Sequence, residues 1–170
     1  MGSEKQFWNL LRDKLPINKM YRVENKVTKG MPDIHYIHKG KCGWIELKYL
    51  DKFPKNRISS GLKLNQMYWA ADHFKNGGAS WVLIRIGRDF IALVNAGYVD
   101  LLYNRPSRPD FLKYCTFYKK GNMTNEDWSE LATTITGSDI LYGLDAKFDL
   151  EPIACDILLK DRLLSIGELI

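Results

Sequence analysis

The sequence predicts an α/β protein: a mixed sheet flanked by helices, with a core in residues 1–100 and an extension over 101–170 packed on it. Two observations carry that expectation. Residues 33–48 read as strand, turn, strand, with β-branched and aromatic residues on either side of Gly40 and Gly43. Two stretches of helical spacing bracket this hairpin, and two further apolar runs of strand length follow the second of them.

Ser3 suits an N-cap for a first helix from Glu4 to about Leu15, in which Phe7, Leu10, Leu11 and Lys14 recur at helical spacing before Pro16 stops it. Met20 to Thr28 alternates loosely and reads as a strand. The hairpin comes next, then a polar, basic loop from Asp51 to Ser60. A second helix runs from Gly61 to Lys75, with Leu64, Met67, Tyr68, Ala71 and Phe74 along one side, and it ends at Asn76-Gly77-Gly78. Trp81 to Ile86 and Phe90 to Val94 make two strands joined across Gly87-Arg88-Asp89. Beyond residue 100 lie two Arg-Pro steps, an aromatic run (Phe111, Tyr114, Phe117, Tyr118) and a helix start at Thr124 with Trp128, Leu131 and Ile135 as its buried edge.

The chemistry concentrates in the hairpin. With the reversal centred on Gly40-Lys41, residue 38 pairs with 43, 35 with 46 and 33 with 48. Side chains alternate faces along a strand, so Asp33, Glu46 and Lys48 project from one face. Two carboxylates and an amine gathered this way are a hard-metal ligand set with a cation beside it, which phosphodiester hydrolysis needs. The plainer readings are a Pro-Asp turn at residues 32–33 and an ordinary cross-strand ion pair at Lys48. His35 falls on the same face as Asp33, and His38 on the other.

The run Gly30-Met31-Pro32-Asp33, followed by Glu46-Leu47-Lys48 after Trp44-Ile45 and by Gln66 in the next helix, resembles the PD-(D/E)XK nuclease superfamily, most closely its VRR-NUC and Holliday-junction-resolvase-like branches. The likeness spans about residues 4–95. It implies a restriction-endonuclease-like α-β-β-β-α-β core and a Mg²⁺- or Mn²⁺-dependent endodeoxyribonuclease, acting on branched or junction DNA and leaving a 5′-phosphate. It further implies that Asp33, Glu46, the Leu47 carbonyl and a carboxylate of the first helix hold the metal. Glu4 is placed for that last role, with Glu24 its rival. Lys48 would assist the attacking water, and Gln66 would bond the substrate backbone or a ligand carboxylate. A homodimer is expected, since two cuts need two sites. Other readings are a non-catalytic DNA-binding module on the same fold, an RNA endonuclease of the same superfamily, and an interaction protein whose acidic end mimics nucleic acid. The RNA enzymes usually add a histidine from the first helical region, where this chain has none.

Charge agrees with a polyanionic partner, DNA foremost. Residues 1–120 carry 22 Lys and Arg against 10 Asp and Glu, and residues 121–170 carry 3 against 10. The basic body would bind phosphates in a salt-sensitive way. Lys26, Lys29, Lys52, Lys55, Arg57 and Lys63 flank the motif and are the expected contacts. Phosphate contacts do not read sequence, so shape should dominate recognition. Three widely spaced cysteines, Cys42, Cys115 and Cys155, fit neither a zinc site nor a disulfide framework, and suit a reducing, intracellular setting. No apolar run reaches the roughly 18 residues of a membrane span.

Overall fold

The computed structural model describes residues 2–24 and 28–137. Lys26, Cys155 and the acidic segment from residue 139 onward lie outside the described residues. Five elements of the chain set the site: α1 (Glu4–Lys14), β1 (Lys19–Arg22), β2 (Ile34–His38), β3 (Lys41–Leu50) and α2 (Leu64–Lys75). β4 (Ser80–Ile86) and β5 (Phe90–Asn95) follow. After a short 3₁₀ turn come α3 (Val99–Tyr103), α4 (Arg108–Tyr114), β6 (Cys115–Lys120) and α5 (Asn125–Thr136). The first six elements run α-β-β-β-α-β, in the expected order.

All six strands join one sheet in the order β1-β2-β3-β4-β5-β6. β3 and β4 are parallel, joined by α2 as the crossover, and every other neighbouring pair is antiparallel. The sheet is therefore mixed, and helices cover both of its faces. It does not stop at residue 100, because β6 pairs along β5 as its last strand.

The hairpin register differs from the expected one. Ile34 pairs with Ile45, Tyr36 with Gly43 and His38 with Lys41. The reversal is a two-residue turn at Lys39-Gly40, both in the left-handed region at φ 47° and 79°, the backbone that matches the twist of a tight hairpin. The shift is two residues, so every side chain keeps its predicted face while Asp33 moves opposite Glu46 instead of Lys48. β1 is also shorter than expected. It ends at Arg22, whose partner Ile34 is the first residue of β2; residues 25–27 of the expected strand lie outside the described residues.

One face of the sheet holds a hydrophobic core. Val82, Ile84, Ile86, Ala92 and Val94 pack there against Met67 and Ala70 of α2, Leu102 of α3 and Phe111 of α4. α1 and α5 bring Phe7, Leu11, Leu131 and Ile135 into the protein interior. A buried aliphatic or aromatic side chain is worth about 1.5–3 kcal/mol, and β4 and β5 are buried along nearly their whole length, as central strands covered on both faces are. Tyr36 ties the layers together. Its hydroxyl donates to the Ile135 carbonyl of α5 at 2.9 Å, and its ring lies where a Cβ on Gly43 would have to sit.

Candidate active site

Asp33 sits one residue before β2, Glu46 and Lys48 on β3, Glu4 in the first turn of α1 and Gln66 in the first turn of α2. The fold brings all five into one network. Lys48 Nζ donates to Glu46 Oε1 at 2.6 Å and stands 3.9 Å from Glu4 Oε1. Gln66 Nε2 donates to the same Glu46 oxygen at 2.5 Å, while Gln66 Oε1 accepts from the Lys63 backbone N–H at 3.0 Å. Asp33 Oδ2 accepts from the Leu47 N–H at 2.9 Å. β2, which begins only at Ile34, leaves that donor free for a side chain.

Local sequence accounts for each placement. Pro32 fixes φ at the entry to β2. Gly30 has φ 94°, and a Cβ there would meet the Asn65 carbonyl oxygen at 2.3 Å. Backbone therefore touches backbone where the motif loop crosses the start of α2, and only glycine permits both the conformation and the contact. Ser3 caps α1 by accepting from Gln6 N at 3.2 Å, which sets Glu4 at the helix start. Glu24, the alternative fourth acid, is exposed beyond the end of β1.

Electrostatics at Glu46 are unusual. Glu46 and Lys48 are both buried, at 2% and 6% exposure. Burial pushes the Glu46 carboxyl up to about 7; Lys48 pulls it down, and Asp33 and Glu4 nearby raise it again. Burial prevails over the ion pair. Both donors reach Oε1, while the buried Oε2 has no hydrogen-bond partner, and such an orphan acceptor costs on the order of 1–3 kcal/mol.

That imbalance is the test of whether a cation fits. Glu46 and Glu4 approach one ammonium, Asp33 adds a third negative charge near Glu46, and the buried Glu46 has a bare oxygen. Among the described residues, no three His, Cys, Asp or Glu side chains close into a metal cage of their own. A hard cation of the Mg²⁺ type needs only one or two carboxylates and keeps several waters, so Asp33 and Glu46 suit it. Glu4, with its side chain 45% exposed, stands at the edge of such a site. The Leu47 side chain is buried, and its N–H is the contact it makes to Asp33.

The flanking cations Lys29, Lys52, Lys55, Arg57 and Lys63 are all exposed. Arg57 is partly engaged, with Nη1 donating to the Arg105 carbonyl at 3.1 Å. The two sheet histidines have structural contacts: His35 lies against Trp44, ring centroids 4.7 Å apart, and His38 Nδ1 accepts from Asn18 N at 3.1 Å. Trp69 packs against the core cluster from α2. It also belongs to a half-buried row, His35–Trp44–Trp69–His73, with the last two rings stacked at 4.8 Å. No periodicity signals such a row, because its members come from β2, β3 and α2.

No family model and no curated protein matches the chain. Among solved structures it is similar to Hjc, a Holliday junction resolvase from the archaeal hyperthermophile Archaeoglobus fulgidus. That likeness has 15% identity and a TM-score of 0.41, over 55% of this chain and 74% of that one.

Proposed function

We propose that this chain is a divalent-metal-dependent endodeoxyribonuclease that hydrolyses phosphodiester bonds, with branched DNA as the substrate geometry to examine first. The observation that carries the reading is Glu46: a buried carboxylate with one oxygen shared by Lys48 and Gln66, the other bare, and Asp33 beside it. A purely structural ion pair would gain more from burying apolar side chains of similar size.

When bound, Mg²⁺ or Mn²⁺ would supply Lewis-acid polarisation of the phosphate and a water of lowered pKa. The chain's own groups do the rest. Asp33 and Glu46 would hold the cation, the first oriented by Leu47 N–H and the second by Gln66. Lys48 positions the attacking water, or offsets charge gathering on the phosphate as the leaving oxygen departs. Glu4 orders solvent at the rim, and the exposed lysines after β3 grip the backbone of the strand being cut.

The test is a cleavage panel with purified protein and Mn²⁺, comparing linear duplex, single-stranded, flap and four-way-junction DNA. Strand scission that EDTA abolishes is expected, strongest on a branched substrate. Binding without cutting on all four, with manganese present, would leave the non-catalytic DNA-binding module as the reading to adopt.

A further inference from the structure

A second feature lies beside α2, away from the carboxylates. Residues 59–64 and 103–105 enclose a cleft of about 570 Å³, within the roughly 300–1,000 Å³ of small-molecule sites. None of the nine lining residues is acidic, and two, Lys63 and Arg105, are cationic. Ser59 and Ser60 add hydroxyls, and Tyr103 adds a ring.

Its walls are built deliberately. The loop before α2 is stitched to the segment after α3 by Ile58 N–H donating to the Pro106 carbonyl at 2.9 Å, by a bridge between Arg57 and Ser107, and by Arg57 on the Arg105 carbonyl. Arg105 occupies the left-handed region at φ 56°, although it is not glycine and precedes a proline, which disfavours helical backbone. Strain of this kind persists where surrounding structure enforces it, and it clusters at binding sites. Here it sets Arg105 in the lining of the same cleft as Lys63. Lys63 in turn leads to the carboxylates, through its N–H to Gln66 and from Gln66 to Glu46.

We infer that this cleft receives one nucleotide of an unpaired strand, its phosphate held by Arg105 and Lys63 and its base against Tyr103. The inference rests on the nuclease reading and names where the substrate strand runs outside the scissile bond. A cleft of this size has room for one nucleotide, and only an unpaired base is free to lie against a ring. Arg offers planar paired donors to phosphate, and a ring face accepts any base, so the contact is independent of sequence.

Fluorescence anisotropy with a labelled single-stranded DNA oligonucleotide, in EDTA and across a salt series, tests it. Arg105→Gly tolerates the backbone conformation while removing the cation, and is expected to weaken binding roughly tenfold. Lys63→Ala should act similarly. Each should lower the slope of log affinity against log salt by about 0.7, the value for one single-strand phosphate. Arg105→Lys should recover much of the slope, and Lys39→Ala, in the exposed hairpin turn, should bind like wild type. Wild-type affinity and slope in both Arg105→Gly and Lys63→Ala would overturn the inference. So would a blunt duplex that competes as well as the single strand. Because binding is read without metal, a wild-type chain that binds but never cuts would sink the nuclease reading and leave this one standing.

Discussion

Two carboxylate–lysine pairs of nearly equal length behave in opposite ways. Lys119 meets Asp127 at 2.9 Å and Lys48 meets Glu46 at 2.6 Å. At Asp127, the Thr124 backbone N–H and Lys119 hold the carboxyl below its usual range. Each oxygen has its own donor there, Thr124 N on Oδ2 and Lys119 on Oδ1. Glu46 lies deeper, with both donors crowded onto one oxygen, and is pushed up to about 7. At Glu46 burial outweighs the lysine, and the neighbouring carboxylates of Asp33 and Glu4 add to it. The first pair caps α5 and is complete without help. The second is left short of positive charge.

Removing the charge should separate the two pairs most clearly in catalysis. Glu46→Ala or Asp33→Ala is expected to reduce DNA cleavage by at least about a thousandfold, while binding in EDTA stays equal or tightens because a carboxylate near phosphate is gone. Asp127→Ala should cut at the wild-type rate. Lys48→Ala is expected to lose cutting as well, with modestly weaker binding. Gel cleavage assays and anisotropy on the same preparations report both quantities, and wild-type cutting by Glu46→Ala would end the site assignment.

Stability against pH should divide the pairs next. The folded-state pKa of Glu46 exceeds the unfolded value near 4.5, so the folded state binds the extra proton between roughly pH 4.5 and 7. Metal-free protein therefore loses this contribution as pH rises through that window. Glu46→Gln should gain stability at pH 8, on the order of 3 kcal/mol at most, and nothing at pH 4. Asp127 has a depressed pKa, so its contribution is present above its unfolded value and disappears as pH falls through the folded one. Asp127→Asn should accordingly destabilise at neutral pH and not in strong acid. Urea titrations in EDTA at several pH values measure both, and parallel curves for the two variants would contradict the contrast drawn here.

Gln66 gives a smaller effect. Gln66→Leu removes the bond to Glu46 and the acceptor for Lys63 N–H, and is expected to lower kcat about tenfold with little change in Km. A rise in Km alone would mean that Gln66 contacts substrate instead of holding the carboxylate.

The sequence located Asp33, Glu46 and Lys48 on one face because strand periodicity is two, and an error of two residues in register leaves that face unchanged. It misplaced the turn because Lys39 in a left-handed conformation has no residue-type signal. The α1 and β4–β5 stretches were readable from apolar spacing; α2 was found too, but Leu64 and Tyr68 of its expected apolar side are exposed, and Met67 and Ala70 are the residues it buries. β6 was hidden: Phe117 is buried and Tyr118 exposed, yet the aromatic run beginning at Phe111 mixes the end of α4 with the start of the strand. The side-chain bond from Asp33 to Leu47 N–H, the contact of Gly30 with Asn65 and the cleft beside Arg105 all join segments far apart in the chain. No local pattern encodes them.

The sixth strand has a bearing on how the molecule can be shortened. Every residue of β5 is buried, and β6 supplies its outer hydrogen-bonding partner. A chain trimmed after residue 100 would keep each proposed catalytic side chain yet bare an apolar ribbon with unsaturated amides, a template for edge-to-edge self-association. Light scattering from the trimmed protein should rise with concentration, and a clear monomeric solution would show that the outer strand is dispensable.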